Sequence, residues 1–248
     1  MFSSSSLSSP TPSLYHTSAP PDSTPHTSDS TPLLSSISDI QHILFINLDH
    51  RHDRLLNVER EWNKWIPFGL SFRPTRFPAI KTTRGEVGCS LSHLKCLETA
   101  LHLNWSHVLI SEDDIEFRDV SLLSQQLNRF LLLHPHDWDV ILLGGNNQKP
   151  YSPVDDTCVR VHRCFTTTCY LVRGSYLPTL IDNVRRGVSH LIRKDSMYSQ
   201  FAIDVFWFDL QRRHRWFLII PLSVTQRSCY SDISCRTINY DNLMLTLK

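Results

Sequence analysis

Val108-Leu109-Ile110-Ser111-Glu112-Asp113-Asp114 sets an apolar run directly against three consecutive carboxylates. The apolar part predicts a short buried strand, and such a strand delivers the acids to its carboxyl end, where open α/β sheets bind their ligands. Upstream, His42-Ile43-Leu44-Phe45-Ile46-Asn47-Leu48 predicts a second strand buried on both faces. After the polar turn Asp49 to His52, Asp53 is expected to cap a helix to about Trp65, with Leu55, Leu56, Val58 and Trp62 facing the core. A short strand is expected over Ser71 to Phe77. Gly85-Glu86-Val87-Gly88 then turns into a helix with Leu91, Leu94, Leu97 and Leu101 on one face.

Downstream the alternation continues. A helix is expected over Val120 to Leu133, then a strand over Asp139 to Leu143 closing on Gly144-Gly145. Two strands should flank Thr166 to Thr168. Helices after Gly174 and near Ala202 to Arg212, and a strand over Trp216 to Ile220, complete the pattern. Alternation of this kind implies an α/β fold with a mostly parallel central sheet flanked by helices.

Length and composition bound the function. The chain's 248 residues suit one catalytic domain and a tail. Residues 1–38, rich in Ser, Thr and Pro, are expected to be a disordered tail, and 39–248 the catalytic domain. A formal charge of +1 gives no reason to expect a nucleic-acid partner. No apolar stretch reaches membrane-spanning length and no secretory leader is recognised, so the expected location is the cytoplasm. The seven cysteines lack the C-x-x-C spacing of a zinc knuckle and are expected to be mostly reduced thiols in apolar surroundings.

On an extended segment alternate residues face one way, so Glu112 and Asp114 can converge on a hard divalent ion, Mn²⁺ or Mg²⁺. A solvated acidic turn is the plainer alternative. Asn47-Leu48-Asp49-His50-Arg51-His52-Asp53-Arg54, at the end of the first strand, offers guanidinium groups for phosphate as well as imidazole and carboxylate ligands. There is no G-x-G-x-x-G and no Walker A motif.

Taken in order, these segments resemble glycosyltransferase family 25, which includes lipooligosaccharide sugar transferases and collagen galactosyltransferases. The resembling pieces are Ile46-Asn47-Leu48 with Arg51 and Asp53-Arg54, then Gly85-Glu86-Val87-Gly88-Cys89-Ser90-Leu91-Ser92-His93, then Glu112-Asp113-Asp114. Trp138 to Gly144, Thr168 to Val172, Ile203-Asp204, Gln226 and Ser231-Asp232-Ile233 follow. The resemblance implies a GT-A-type nucleotide-sugar-binding fold, a UDP-sugar donor with galactose the leading sugar, and usually Mn²⁺. It implies a glycan or hydroxyl-bearing polypeptide as acceptor. It places Asn47, Leu48, Arg51, Arg54, Glu86, Ser92, His93 and Asp113 around the nucleotide sugar, with Glu112 and Asp114 at the metal. The chain departs from the family in its long Ser/Thr/Pro leader, in ending soon after Ile233, and in lacking the C-terminal retention signal of secretory members.

Transfer from a nucleoside diphosphate needs charge neutralised on the leaving group and a base for the attacking hydroxyl. Asp114 and Glu112 would hold the ion, and Arg51 or Arg54 would meet the phosphates. Asp204, an acid among apolar neighbours, is the candidate base; Asp232 is a second candidate for base or metal support. The resemblance implies inversion at the sugar carbon. Two other readings stay open: a phosphohydrolase or nucleotidyltransferase with a second metal at Asp49/His50/His52/Asp53, and a catalytically degenerate interaction module.

Overall fold

The computed structural model describes residues 33–193, 198–231 and 236–248. Its first elements are β1 (Ile43–Asn47), α1 (His52–Asn63), β2 (Thr75–Pro78), α2 (Gly85–His102), β3 (His107–Glu112), β4 (Ile115–Phe117) and α3 (Val120–Leu133). Next come β5 (Val140–Asn147), β6 (Tyr151–Pro153), β7 (Cys158–Val161), β8 (Cys164–Arg173) and α4 (Leu177–Arg193). The remainder is α5 (Ile203–Phe206), α6 (Phe208–Arg213), β9 (Trp216–Ile219), β10 (Val224–Gln226), β11 (Cys229–Ser231), β12 (Arg236–Ile238) and α7 (Asp241–Met244).

Eight strands form the central sheet in the order β2-β1-β3-β8-β5-β9-β7-β6. Strand alternation sends Leu44, Ile46, Val108, Ile110, Tyr170 and Val172 to one face, where α2, α4 and α5 pack. Ile43, Phe45, Leu109, Cys169 and Leu171 go to the other, against α1 and α3. Because both faces are covered, the strands read as unbroken apolar runs rather than alternating ones. The α/β architecture with flanking helices is therefore as expected, but the sheet is mixed. β1–β2, β1–β3 and β5–β9 pair parallel, whereas β3–β8, β5–β8, β7–β9 and β6–β7 pair antiparallel. The antiparallel share comes from β8, which runs between β3 and β5, and from the β6–β7 hairpin beyond β9.

Local differences have identifiable causes. Asp53 lies inside α1 rather than capping it; Arg51 holds the N-cap position and its guanidinium binds the Asp53 carboxylate. Leu56 and Leu101 are exposed, while Val58, Trp62, Leu94 and Leu97 fill the core. Gly85 to Gly88 form the first turn of α2 itself. The polar Thr166-Thr167-Thr168 lies within one long strand, β8, instead of separating two. The fold also begins earlier than residue 39: Leu34 and Ile37 are buried against α3 and its neighbours. Cys96, Cys158, Cys164 and Cys169 are free and buried, and Cys89 is free and half-buried, whereas the side chains of Cys229 and Cys235 lie outside the described set. None of the described helices is long and apolar enough to cross a membrane.

One buried group couples this fold to pH. His107, at the start of β3, is 3% exposed, accepts the Gln41 N–H at 3.1 Å and meets Ser106 Oγ at 2.9 Å. Burial, with help from the charge of His42, pushes its imidazole down to about 4. The neutral form is therefore favoured in the fold. Its contribution to stability is complete above the unfolded value near 6.5 and is lost as pH falls toward 4, at a cost of about 3 kcal/mol. Urea denaturation across pH 7.5 to 4 should show this acid slope, and His107→Gln should reduce it by about one proton; an unchanged slope would exclude His107 as its source.

Candidate active site

A cavity of about 710 Å³ opens at the carboxyl ends of β1 and β3. Its walls come from the start of α2, from Thr166 and Thr167 of β8, from Ala202 to Val205, and from Gln226 and Arg227. Gly88 lets α2 approach: a Cβ there would sit 2.5 Å from the Ile80 carbonyl oxygen, so a side chain would push the helix off the cavity wall. Ser92 fastens the same contact, donating to the Gly88 carbonyl at 2.7 Å and accepting from the Ile80 N–H at 2.8 Å. On β8, Thr166 adopts a left-handed backbone with φ of 70°, opposite register shifts in β5. A non-glycine residue held there is strained, and such strain concentrates at functional sites.

The three acids have different surroundings. Both oxygens of Glu112 are taken by protein groups: Oε1 accepts from Thr167 Oγ1 and faces His93 Nε2 at 3.4 Å, and Oε2 accepts from Gln226 Nε2 at 2.9 Å. Burial works to raise its carboxyl, but the hydrogen bond and charge of His93, with Thr167 and Arg54, outweigh it and hold the group below its usual range. Asp113 accepts from Arg54 Nη1 at 2.8 Å and from Asn47 Nδ2 at 2.7 Å; burial dominates these partners and raises it. Asp114 meets Arg54 Nη1 at 3.3 Å through Oδ2 alone. Its Oδ1 is buried with no hydrogen-bond partner, and burial, then the charges of Glu112 and Asp113, push the carboxyl up to about 8 against the pull of Arg54.

Asp204 enters from the first turn of α5 and accepts the Thr166 N–H at 3.2 Å. Burial, followed by the charge of Glu112, raises its carboxyl above the usual range. His93 is 1% exposed and bridges Tyr170 Oη, at 2.9 Å from Nδ1, to Glu112.

The cavity thus gathers Leu48, Arg54, Glu86, Ser92, His93, Glu112, Asp113, Asp114 and Asp204. Asn47 is buried behind it, where it orients Asp113 and accepts from Arg76 Nε at 2.9 Å. Arg51 is directed to Asp53 and Arg54 to the Asp113 and Asp114 carboxylates, so neither guanidinium is presented to phosphate as expected. Of the two expected metal ligands, Glu112 has both oxygens hydrogen-bonded to protein groups, whereas Asp114 carries the oxygen without a partner. Asp232 lies outside the described residues. The segment Asp49 to Asp53 does not form a second metal site: Asp49 pairs with Arg76 and Asp53 with Arg51. Thr166 and Thr167 come to the cavity without any sequence signal beyond their polarity, and Lys81 and Arg227 add positive charge to its wall.

A model of glycosyltransferase family 25 (LPS biosynthesis protein) matches residues 76–195. A Mus musculus protein named inactive glycosyltransferase 25 family member 3 is 34% identical over 73 residues, 29% of this chain and 12% of that protein. Procollagen galactosyltransferase 1 of Danio rerio is 25% identical over 137 residues, 53% of this chain and 21% of its own length. The matches therefore span about a fifth or less of these relatives. Among solved structures, a glycosyltransferase involved in glycosylating the major capsid of PBCV-1 overlaps with a TM-score of 0.42 at 8% identity, covering 73% of this chain and 92% of that one. A Drosophila galactosyltransferase 7 mutant in complex with manganese, UDP-Gal and xylobiose gives 0.37 at 12% identity, covering 57% and 52%. Structural overlaps this low add no weight; the sequence match over residues 76–195, just under half of the chain, is what ties it to glycosyltransferase family 25.

Proposed function

We propose that the chain transfers a hexose, with galactose the leading candidate, from a UDP-sugar to a hydroxyl of a glycan or polypeptide, with a divalent cation and inversion at the sugar carbon. The observation that carries this reading is the unpartnered buried oxygen of Asp114 beside the raised carboxyl of Asp204, in one cavity of a family 25 domain.

An anion kept buried without a donor is costly, and a cation relieves that cost. The oxygen donor suits a hard ion, Mn²⁺ or Mg²⁺, with Asp114 as its protein ligand. When bound, the ion would offset the charge that grows on the diphosphate. Glu112, fixed by Thr167 and Gln226, and Asp113, fixed by Asn47 and Arg54, hold the negative field that favours the ion. Arg54 positions the carboxylates, while Lys81 and Arg227 on the wall take the phosphate-facing role. Asp204, with one oxygen held by the Thr166 N–H, keeps the other for the acceptor proton; its raised carboxyl brings it nearer the basicity a general base needs.

The direct test offers a panel of UDP-sugars with Mn²⁺ or Mg²⁺ and follows UDP release, with NMR of the product reading its anomeric configuration. UDP-galactose should turn over fastest and only with metal. A second reading, a catalytically silent module, is favoured by the mouse relative's description as inactive. Nucleotide binding without turnover of any UDP-sugar would support that reading and overturn the first.

A further inference from the structure

Cys89 has no part in the proposed transfer, yet its thiol faces the cavity next to His93 and Glu112. We propose that Cys89 Sγ, His93 Nε2 and Glu112 Oε1 form a binding site for a borderline-soft divalent ion of the zinc class, separate from the hard cation at Asp114.

Cys89 and His93 are four residues apart on α2, so their side chains lie on one face of the helix. Glu112, at the end of β3, meets them from across the cavity floor. One ligand atom from each of the three lies within 4.8 Å of the other two. The His93 Nε2 to Glu112 Oε1 separation is 3.4 Å and Cys89 Sγ to Oε1 is 4.0 Å. A tetrahedral zinc ion needs about 3.3 Å between nitrogen and oxygen ligands and about 3.5 Å between sulfur and oxygen, from its ordinary bond lengths. The first separation already fits, and a side-chain shift of about half an ångström at Cys89 supplies the second.

The surroundings also suit an ion. Tyr170 Oη sits 2.9 Å from His93 Nδ1 and can accept its N–H, which leaves the Nε2 lone pair directed at the metal. Gln226 keeps hold of Oε2 and so fixes Glu112, while Oε1, which accepts from Thr167 Oγ1, has a second lone pair for the ion. All three residues line the cavity, which gives the ion an entry path. A second mixed cluster among the described residues, His134, Asp155 and Cys158, is more fully engaged. Asp155 Oδ1 already accepts from Thr157 N, Thr157 Oγ1 and Cys158 N, its Oδ2 is 2.7 Å from His134 Nε2, and Cys158 is fully buried.

On binding, the Cys89 S–H bond breaks, its proton passes to solvent, and the sulfur lone pair forms the bond to the metal. There is no change of oxidation state.

The test titrates Co²⁺, a spectroscopic stand-in for Zn²⁺, into the reduced, oxygen-free protein and follows the thiolate-to-cobalt charge-transfer band. The expected result is a band saturating at one ion per chain, bleached by Zn²⁺ and resistant to excess Mg²⁺. Cys89→Ser and Cys89→Ala, each checked for folding by circular dichroism, should lose it; His134→Ala should keep it. Asp114→Asn should also keep it, which makes this outcome independent of the transferase reading. No band with wild type, a band that survives both Cys89 substitutions, or its loss in Asp114→Asn would overturn the proposal.

Discussion

Asp114→Asn is expected to make the metal-free protein more stable near neutral pH, by roughly 2 kcal/mol or more, while abolishing any stabilisation by nucleotide with metal. The carboxyl is raised to about 8 by burial and by the charges of Glu112 and Asp113. A raised carboxylate costs the fold nothing below its unfolded value near 4, and the cost grows as pH climbs toward 8. The amide removes the charge and can donate to the neighbouring acids. Urea denaturation of both proteins in chelator should therefore show a gain at pH 7.5 that fades by pH 4. A variant less stable than wild type at pH 7.5 would mean that Asp114 supports the fold, contrary to its unsatisfied oxygen.

The second large effect concerns chemistry. Asp204→Asn should lower kcat by about two to four orders of magnitude, the range over which general-base groups act, and leave the donor KM within a few-fold. The amide oxygen can still accept the Thr166 N–H, so the backbone strain at Thr166 is held as before. Steady-state kinetics with the best UDP-sugar, beside a thermal melt to confirm folding, reads the result. An unchanged kcat would remove Asp204 from the proton transfer. A parallel rise in KM would make it a binding group instead.

The sheet strands that carry the site were legible because they are buried on both faces: β1, β3, β5 and β9 read as runs of Ile, Leu, Val, Phe and Trp. The long strand β8 was not, because Thr166 to Thr168 interrupt the apolar run where the strand turns its side chains into the cavity. Strand direction was equally hidden, since burial on both faces looks the same in parallel and antiparallel pairs. Leu56 and Leu101 fit a helical stripe and still face solvent, as apolar residues at the margin of an amphipathic face commonly do.

At the site, residue identity was more legible than residue role. The acidic triplet, Asp204 and His93 do meet in one cavity. That Glu112 is occupied and Asp114 is not depends on Thr167 and Gln226, which arrive from 55 and 114 residues further along the chain. Arg54 looks like a phosphate ligand beside the first strand, but the fold points it at Asp113 and Asp114. No local pattern carries such long-range pairings. Leu34 and Ile37, embedded in a Ser-rich stretch, likewise gave no sign of packing against the core.

Binding of a nucleoside diphosphate in the cavity, through a hard divalent ion, underlies every step proposed above. Its most direct test is the thermal stabilisation of the wild-type protein by UDP with and without Mn²⁺. Ligand that binds only the folded state must raise its stability, by about 2.7 kcal/mol at a hundredfold excess over the dissociation constant. The expected shift requires both UDP and Mn²⁺ and disappears with chelator. A melting temperature unmoved by UDP, GDP or CMP under either Mn²⁺ or Mg²⁺ would contradict it.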